Sequence, residues 1–171
     1  NDYVQLEVEF PLKVISSAVH NAGMGWYNNF LNRSISPYYN IENVKEETVQ
    51  FLLERGFSLT NTVVMLTAVT ANLVAIRSFH HERFSITIAV TAGVGNAVDV
   101  TKTYERQDTP YIGTINTWVI VNGKLSDEAF YQAMITATEA KTKALAEEDI
   151  RDVQTNTIAT GTATDSLLIA A

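Results

Sequence analysis

The sequence predicts a single α+β domain over residues 1–171, with a mixed, largely antiparallel sheet of about six or seven strands and two main helices packed on it. Three observations support this fold class. A chain of 171 residues suits one domain and is long enough to bury a sizeable core. Several short segments alternate apolar and polar residues, as half-buried strands do. Two longer segments carry the capping residues and apolar spacing of helices.

The N-terminal part predicts two strands, a long loop and a helix. Residues 3–10 alternate apolar and polar side chains, and residues 11–19 predict a second strand. Residues 20–41 are rich in Asn, Gly, Ser and Tyr, which is typical of a loop. A helix is then expected to begin after Asn43, its N-cap residue, and to end at Gly56.

The middle of the chain predicts mainly strands. We expect three of them near residues 62–69, 73–79 and 84–92, the last with clear alternation. A long polar stretch then reaches residue 111. Residues 114–121 are apolar on both faces, which predicts a central strand.

The C-terminal part predicts a helix over residues 126–148 and a final strand over residues 165–171. The many alanines of this helix favour close packing on a sheet. Lys141 falls at the centre of its apolar face, whereas Glu139 falls on the opposite side. The Lys141 ammonium either extends along the apolar surface to solvent or pairs with a carboxylate such as Asp165.

Composition excludes several classes of function. A net charge of −7 with only 12 Lys and Arg residues argues against nucleic acid as a partner. The absence of cysteine removes disulfides, thiolate nucleophiles and cysteine-based metal sites. We expect no membrane association and a cytoplasmic location, because no apolar run has the length of a span and the first residues do not resemble a signal peptide.

A histidine-based metal site is also not expected. His80 and His81 are adjacent, so on a strand their side chains point to opposite faces and cannot chelate one ion together. We interpret them as exposed histidines at the end of a strand.

Four polar segments interrupt the otherwise apolar elements. They are residues 16–26, 91–96, 113–118 and 158–171. Within the third, Asn116 lies on a predicted strand, where its amide must bond either to backbone groups or to a ligand. Together the segments predict a pocket of amides, hydroxyls and glycine backbone with few charges, which suits a large, neutral ligand that carries amides better than a phosphate.

These segments carry a resemblance to a known family. The runs "GTINTWVIVNGKLSDEAFYQAMITATEAKTKALAEEDI" and "ATGTATDSLLIAA", preceded in order by "ISSAVHNAG" and "TAGVGNA", closely resemble the adenosylcobinamide amidohydrolase family of corrinoid salvage. The resemblance spans nearly the whole chain. Two positions depart from the pattern, since Ala22 and Ala163 stand where the family tends to have glycine.

The resemblance implies a reaction and a substrate. The family hydrolyses the amide that joins aminopropanol to a propionate side chain of the corrin ring, which converts adenosylcobinamide to adenosylcobyric acid. The expected partner is therefore a small-molecule corrinoid, bound as substrate, with no separate cofactor and no metal. A homo-oligomer is compatible with this expectation.

The catalytic hypothesis rests on what amide hydrolysis requires. The reaction needs an activated nucleophile, stabilisation of an oxyanion and a proton for the leaving amine. Our hypothesis is a water activated by Glu139 or Asp165, with Lys141 tuning the carboxylate. A hydroxyl nucleophile is the alternative, from Thr162, Thr164 or Ser17. The candidate oxyanion donors are the backbone N–H groups of residues 160–164 and the amides of Asn96 and Asn116.

The candidate substrate-binding residues belong to the same four segments. They are Ser17, Asn21, Gly23, Asn96, Thr114, Asn116, Thr160, Gly161, Thr162 and Thr164. Two other functions stay open at this point. One is a corrinoid-binding module without catalysis, and the other is an amidase or acyl-transfer enzyme that acts on another substrate.

Overall fold

The structure is a computed structural model that describes residues 2–36, 42–107 and 113–171. Within these ranges the helices are α1 (Val44–Glu54) and α2 (Asp127–Glu147). The strands are β1 (Tyr3–Ser16), β2 (Gly23–Ser34), β3 (Thr62–Thr67), β4 (Ala75–His81), β5 (Phe84–Ala92), β6 (Ala97–Val98), β7 (Ile115–Asn122), β8 (Gly161–Thr162) and β9 (Ser166–Ala170). Short 3₁₀ helices cover Ala71–Leu73 and Val100–Glu105.

One mixed sheet of seven strands organises the chain, in the order β3-β2-β1-β9-β7-β5-β4. Strand β1 is antiparallel to β2 and β9, and β5 is antiparallel to β4 and β7, whereas the pairs β2–β3 and β7–β9 are parallel. Strands β6 and β8 form a separate small sheet. The predicted α+β class, with a mixed, largely antiparallel sheet and two main helices, is confirmed.

The sheet curls, so that β3 at one edge contacts β7 across its concave face. The main core fills this face with Val14, Ala18, Phe30, Val63, Met65, Trp118, Leu168 and Ala170. The Trp118 indole N–H donates to the Met65 sulfur at 3.3 Å, which links β7 directly to β3. Burial of these side chains is the main source of stability for the curled sheet.

Helix α1 packs on the other face of β2 and β3. Phe51 and Leu52 join Leu31 and Val64 in a second buried cluster. The helix begins after Asn43 and is followed by Gly56, as predicted. Asn43 makes no side-chain capping bond, so the acidic residues of the first turn provide the favourable interaction with the helix dipole.

Helix α2 packs on β9 and β8. Its buried residues are Phe130 and Leu145. At the N-terminus, the Ser126 hydroxyl accepts the Ala129 N–H at 3.4 Å, and Lys13 of β1 pairs with Asp127. The helix therefore confirms the prediction for residues 126–148, with one terminal residue fewer at each end.

The N-terminal sheet differs from the sequence prediction. The two strands predicted over residues 3–19 form one strand, β1, whose register with β2 shifts between Glu7 and Leu12. The loop predicted over residues 20–41 is wrong over β2, while residues 37–41 lie outside the described residues. The asparagines of this segment led to the loop prediction, although Phe30 and Leu31 are fully buried on opposite faces of β2.

The remaining elements follow the prediction closely. Strands β3, β4, β5, β7 and β9 lie where they were expected, with bounds that differ by about two residues. The polar stretch that follows β5 contains β6 and a 3₁₀ helix, and its residues 108–111 lie outside the described residues. His80 and His81 are exposed on β4, the edge strand. No helix in the described ranges is long and apolar enough to cross a membrane.

Candidate functional site

The site is built around an ion pair between Lys141 of α2 and Asp165, the residue before β9. Their side chains are 23% and 16% exposed, so the pair is largely shielded and still reaches the surface. Of the two interpretations of Lys141, the pairing with Asp165 is confirmed. The ion pair joins the C-terminal half of α2 to the turn between β8 and β9.

The Asp165 carboxylate accepts four hydrogen bonds. One oxygen accepts the Ile115 N–H at 2.9 Å and the Thr162 hydroxyl at 2.5 Å. The other accepts the Thr162 N–H at 3.1 Å and the Lys141 ammonium. Lys141 is the only one of these donors on a long, flexible side chain, so it is the donor that a ligand can displace most easily.

Gly161 allows the ion pair to lie against the backbone. A methyl group at this position would lie 2.8 Å from the Lys141 nitrogen and would collide with the Asp165 carboxylate. The φ angle of Gly161 lies outside the left-handed region, so glycine is needed here for close approach. The pairing of β8 with β6 fixes this backbone, because Gly161 lies opposite Val98.

A cavity of about 190 Å³ opens beside the ion pair, between α2 and the ends of β7 and β9. It is lined by Ser17, Ile115, Thr117, Met134, Ala137, Thr138, Lys141, Asp165, Ser166 and Leu167. The cavity therefore brings together three of the predicted residues, Ser17, Lys141 and Asp165. The Ser17 hydroxyl accepts the Leu167 N–H at 3.0 Å and so also helps to join β1 to β9.

A second space, which we name the apolar groove, continues from this cavity along α2 towards β5. Its volume is about 440 Å³. The lining residues are Ile88, Val90, Ala92, Val94, Ile115, Thr117, Val119, Ala137, Ala140, Lys141, Ala144, Leu145, Glu148 and Ile150. Ile115, Thr117, Ala137 and Lys141 line both spaces, so the ion pair lies where the cavity and the groove meet.

Glu139 lies away from this site. It is exposed on α2 and lines neither the cavity nor the apolar groove. It lies two positions before Lys141 in the sequence, which places the two side chains about 200° apart around the helix. The structure thus brings Asp165, and not Glu139, to the cavity.

Asn116 and Thr114 belong to the interior and not to the cavity. The Asn116 amide donates to the Asn32 side chain at 2.7 Å and to the Leu66 carbonyl at 2.8 Å. Its oxygen lies 3.1 Å from the Thr114 hydroxyl, which also contacts the Thr164 carbonyl. Because Asn116 alternates along β7 with the cavity residues Ile115 and Thr117, it faces the concave side. These contacts do not support an oxyanion role for Asn116.

Asn21 and Gly23 shape the turn between β1 and β2. Both have positive φ, at 56° and 87°, as turn residues of these types often do. The Asn21 amide donates to the carbonyls of Leu59 and Thr62 at 2.8 Å each. Both residues thus serve the turn, and neither lines the cavity.

The remaining predicted residues hold the loops around the site. Thr160 N–H donates to Val98 at 2.8 Å, and its hydroxyl accepts the Val100 N–H at 3.0 Å. The Thr164 hydroxyl donates to the Gly113 carbonyl at 2.9 Å. Asn96 is buried beside Gly113, where an added Cβ would lie 3.0 Å from the carbon of its amide. Of the candidate oxyanion donors, the amides of Thr160 and Thr162 are thus already hydrogen-bonded.

The two alanines that depart from the family pattern fit their backbone. Neither Ala22 nor Ala163 has positive φ. The conformational freedom of glycine is therefore not required at these positions, and the turn that presents Asp165 forms with alanine in it.

A second acidic residue, Asp152, anchors the neighbouring loops. Its buried carboxylate pairs with Arg106 and accepts the N–H groups of Asp99 and Gln154 at 2.9 and 2.8 Å. Burial by itself raises the pKa of Asp152, but the hydrogen bonds from these backbone groups and from Arg106 outweigh it and lower the pKa to about 2. This arrangement stabilises the loops that carry Val98 and Thr160.

Several residues of the site escaped the sequence interpretation. Thr117, Thr138 and Ser166 place hydroxyl groups on the cavity, and Met134 and Leu167 give it apolar walls. Thr138 could have been predicted from the sequence, because it lies three positions before Lys141 and residues three apart on a helix share a face. In the described ranges no group of three or more His, Asp or Glu residues is placed to hold a metal ion.

Comparison with known proteins identifies a family and two relatives that this chain resembles. A family model described as adenosylcobinamide amidohydrolase matches residues 1–171. An uncharacterized protein of Methanocaldococcus jannaschii is 30% identical, in an alignment that covers 81% of this chain and 62% of that protein. An uncharacterized ABC transporter ATP-binding protein of Bacillus subtilis, YvrA, is 23% identical, over 84% of this chain and 27% of its own length.

The chain thus spans under two thirds of the length of either relative. The family model, in contrast, matches the chain from end to end, including the residues that form the ion pair, the cavity and the turn before β9. The chain belongs to the adenosylcobinamide amidohydrolase family.

Proposed function

We propose that this protein hydrolyses the amide bond between aminopropanol and the corrin ring of adenosylcobinamide, and so produces adenosylcobyric acid. The observation that carries the proposal is the Lys141–Asp165 ion pair, which lies at the junction of a small cavity and a larger apolar groove. A reactive amide can enter the cavity while the rest of a large substrate stays outside it. Membership of the family supports the choice of substrate.

Lys141 supplies the positive charge that the reaction needs. Attack on an amide places negative charge on its carbonyl oxygen, and a fixed cation next to that oxygen lowers the barrier. Lys141 is a cation that lines the cavity, and its pairing with Asp165 holds it there before substrate binds. When the substrate carbonyl binds the ammonium, the Asp165 oxygen that Lys141 had occupied becomes available to a water molecule.

Asp165 then acts as the general base on this water. The water loses its proton to the carboxylate as its oxygen attacks the carbonyl carbon, and the same proton passes to the leaving aminopropanol nitrogen as the C–N bond breaks. The two Thr162 donors and the Ile115 N–H hold the carboxylate in place throughout. Thr162 is the strongest hydroxyl alternative, because it alone among Ser17, Thr162 and Thr164 donates to Asp165.

The proposal is tested by incubating the protein with adenosylcobinamide and measuring free aminopropanol and adenosylcobyric acid. We expect Asp165→Asn to lower kcat by about 100-fold or more, because the base is lost. Glu139→Gln, a matched change on the opposite face of α2, is expected to keep wild-type turnover. Thr162→Ala separates the two nucleophiles, since only a hydroxyl nucleophile would make it as damaging as Asp165→Asn.

Two results would overturn the proposal in different ways. Tight binding of adenosylcobinamide without release of aminopropanol would indicate a corrinoid-binding module. Neither binding nor release would point to an amidase or acyl-transfer enzyme with another substrate.

A further inference from the structure

The apolar groove is unusual because of the residues that α2 presents to it. A helix that packs on a sheet normally fills the interface with bulky side chains at close to crystalline density. Here α2 presents Ala137, Ala140 and Ala144 to the branched residues of β5 and β7. The alanines were expected to let the helix lie close to the sheet, but instead they leave about 440 Å³ of space.

The charged residues that line the groove, Lys141 and Glu148, lie along one side of α2 and its C-terminal end. Glu148, which directly follows the last residue of α2, lies seven positions after Lys141 on the same side, about 10 Å further along the helix axis. The lining between them consists of alanine, leucine and the aliphatic residues of the sheet, with Thr117 at the junction with the cavity. A ligand that lies here meets an apolar surface and has the ion pair at one end.

The position of the groove suggests what it binds. Because the groove and the cavity share Lys141, Ala137, Ile115 and Thr117, a molecule whose amide is in the cavity has its neighbouring atoms at the mouth of the groove. Burial of a polar or charged group without a partner is costly, so the groove favours an apolar edge. Polar substituents of the same molecule remain directed towards water.

We propose that the apolar groove binds the apolar edge of the substrate's ring system, and that Ala140 and Ala144 set the width available to it. This inference rests on the proposed function and deepens it. It assigns the substrate to the β5 side of α2 and makes the two alanines specificity-determining residues. The groove selects large, neutral amides with an extended apolar edge over small or anionic amides.

Steady-state kinetics with adenosylcobinamide tests this with three leucine variants. Ala144→Leu and Ala140→Leu place a side chain in the groove at exposed positions of α2, so both are expected to fold. We expect each to lower kcat/KM by about tenfold or more, mainly through a higher KM, since filling a pocket by a few methyl groups has effects of this size. Ala146→Leu, which is exposed and does not line the groove, is the matched control and is expected to match the wild type.

Direct binding separates this inference from the proposed function. Titration of each variant with adenosylcobinamide, followed by the quenching of tryptophan fluorescence, gives Kd independently of turnover, and circular dichroism reports folding. Weaker binding by both groove variants, with the control unchanged, supports the groove even if the wild type releases no aminopropanol. Wild-type Kd and KM in folded Ala144→Leu and Ala140→Leu would overturn it, even if hydrolysis is confirmed.

Discussion

Two polar clusters lie on either side of β7, and they differ in what surrounds them. On the concave side, Asn116 and Asn32 are buried and hydrogen-bonded to each other and to β3 and β5. On the helix side, Lys141 and Asp165 are paired at the edge of a cavity. One member of each cluster, Asn116 and Asp165, comes from a segment rich in Thr with Asn or Gly. The composition of a segment therefore indicates that polar side chains are present. The alternation of side chains along the strand determines whether each of them faces the core or the cavity.

The comparison predicts a loss of activity, with little loss of stability, on the helix side. In Lys141→Met the apolar stem is kept and the charge is removed. We expect kcat on adenosylcobinamide to fall by about 100-fold, as for loss of one oxyanion-stabilising group. The Tm is expected to change by only a few degrees, because Asp165 keeps its donors from Ile115 and Thr162. A variant that loses stability and keeps kcat would contradict the assignment.

On the concave side of the sheet, the comparison predicts a loss of stability with little loss of activity. Asn116→Leu keeps the approximate volume and leaves the Asn32 oxygen and the Leu66 carbonyl without their donor. We expect the free energy of unfolding to fall by about 1–3 kcal/mol, measured by urea denaturation, because buried polar groups then lack partners. Below its melting transition the variant is expected to keep kcat and KM close to the wild-type values. A selective loss of kcat would place Asn116 in the site after all.

The smallest expected effect concerns the glycine next to the ion pair. In Gly161→Ala the new methyl group must displace Lys141 and Asp165. We expect kcat to fall by about tenfold, in line with the sensitivity of catalysis to small displacements. Gly123→Ala is the control, since its methyl group would make only ordinary contacts at 3.5 and 3.6 Å with Phe84 and Val121. Equal effects of the two substitutions on kcat would show that the close approach at Gly161 has no catalytic importance.

Much of the fold could be predicted from the sequence, because the apolar periodicity is clear in most helices and strands. Helix α2 and strands β5 and β7 followed from periodicity and capping, and the pairing of Lys141 with Asp165 was one of two stated alternatives. Strand β2 did not follow, because its buried Asn29 and Asn32 obtain their partners from strands distant in sequence. Local pattern contains no information about such long-range hydrogen bonds.

The site was harder to predict than the fold for a related reason. Periodicity placed Lys141 and Glu139 on opposite faces of a helix, and it placed Asn116 and Thr117 on opposite faces of a strand. It could not tell which of these faces would border a cavity, because that depends on how α2 is seated on the sheet. The space left by Ala140 and Ala144 is likewise a property of the packed helix and not of its sequence alone.

The positions at which α2 is buried against the sheet affect how easily the helix can bend. The two buried residues of α2, Phe130 and Leu145, lie about 22 Å apart along its axis, so the helix is anchored by apolar packing near both ends. Between them, the span faces the sheet mainly with Met134 and alanines, and it is joined to the neighbouring loop by the Lys141–Asp165 ion pair and by the Thr142 hydroxyl, which donates to the Thr160 carbonyl. Outward bending of this span exposes less buried apolar surface than release of either end, so we expect it to cost less. We therefore expect the space under α2 to be able to widen for a bulky ligand without release of either end of the helix.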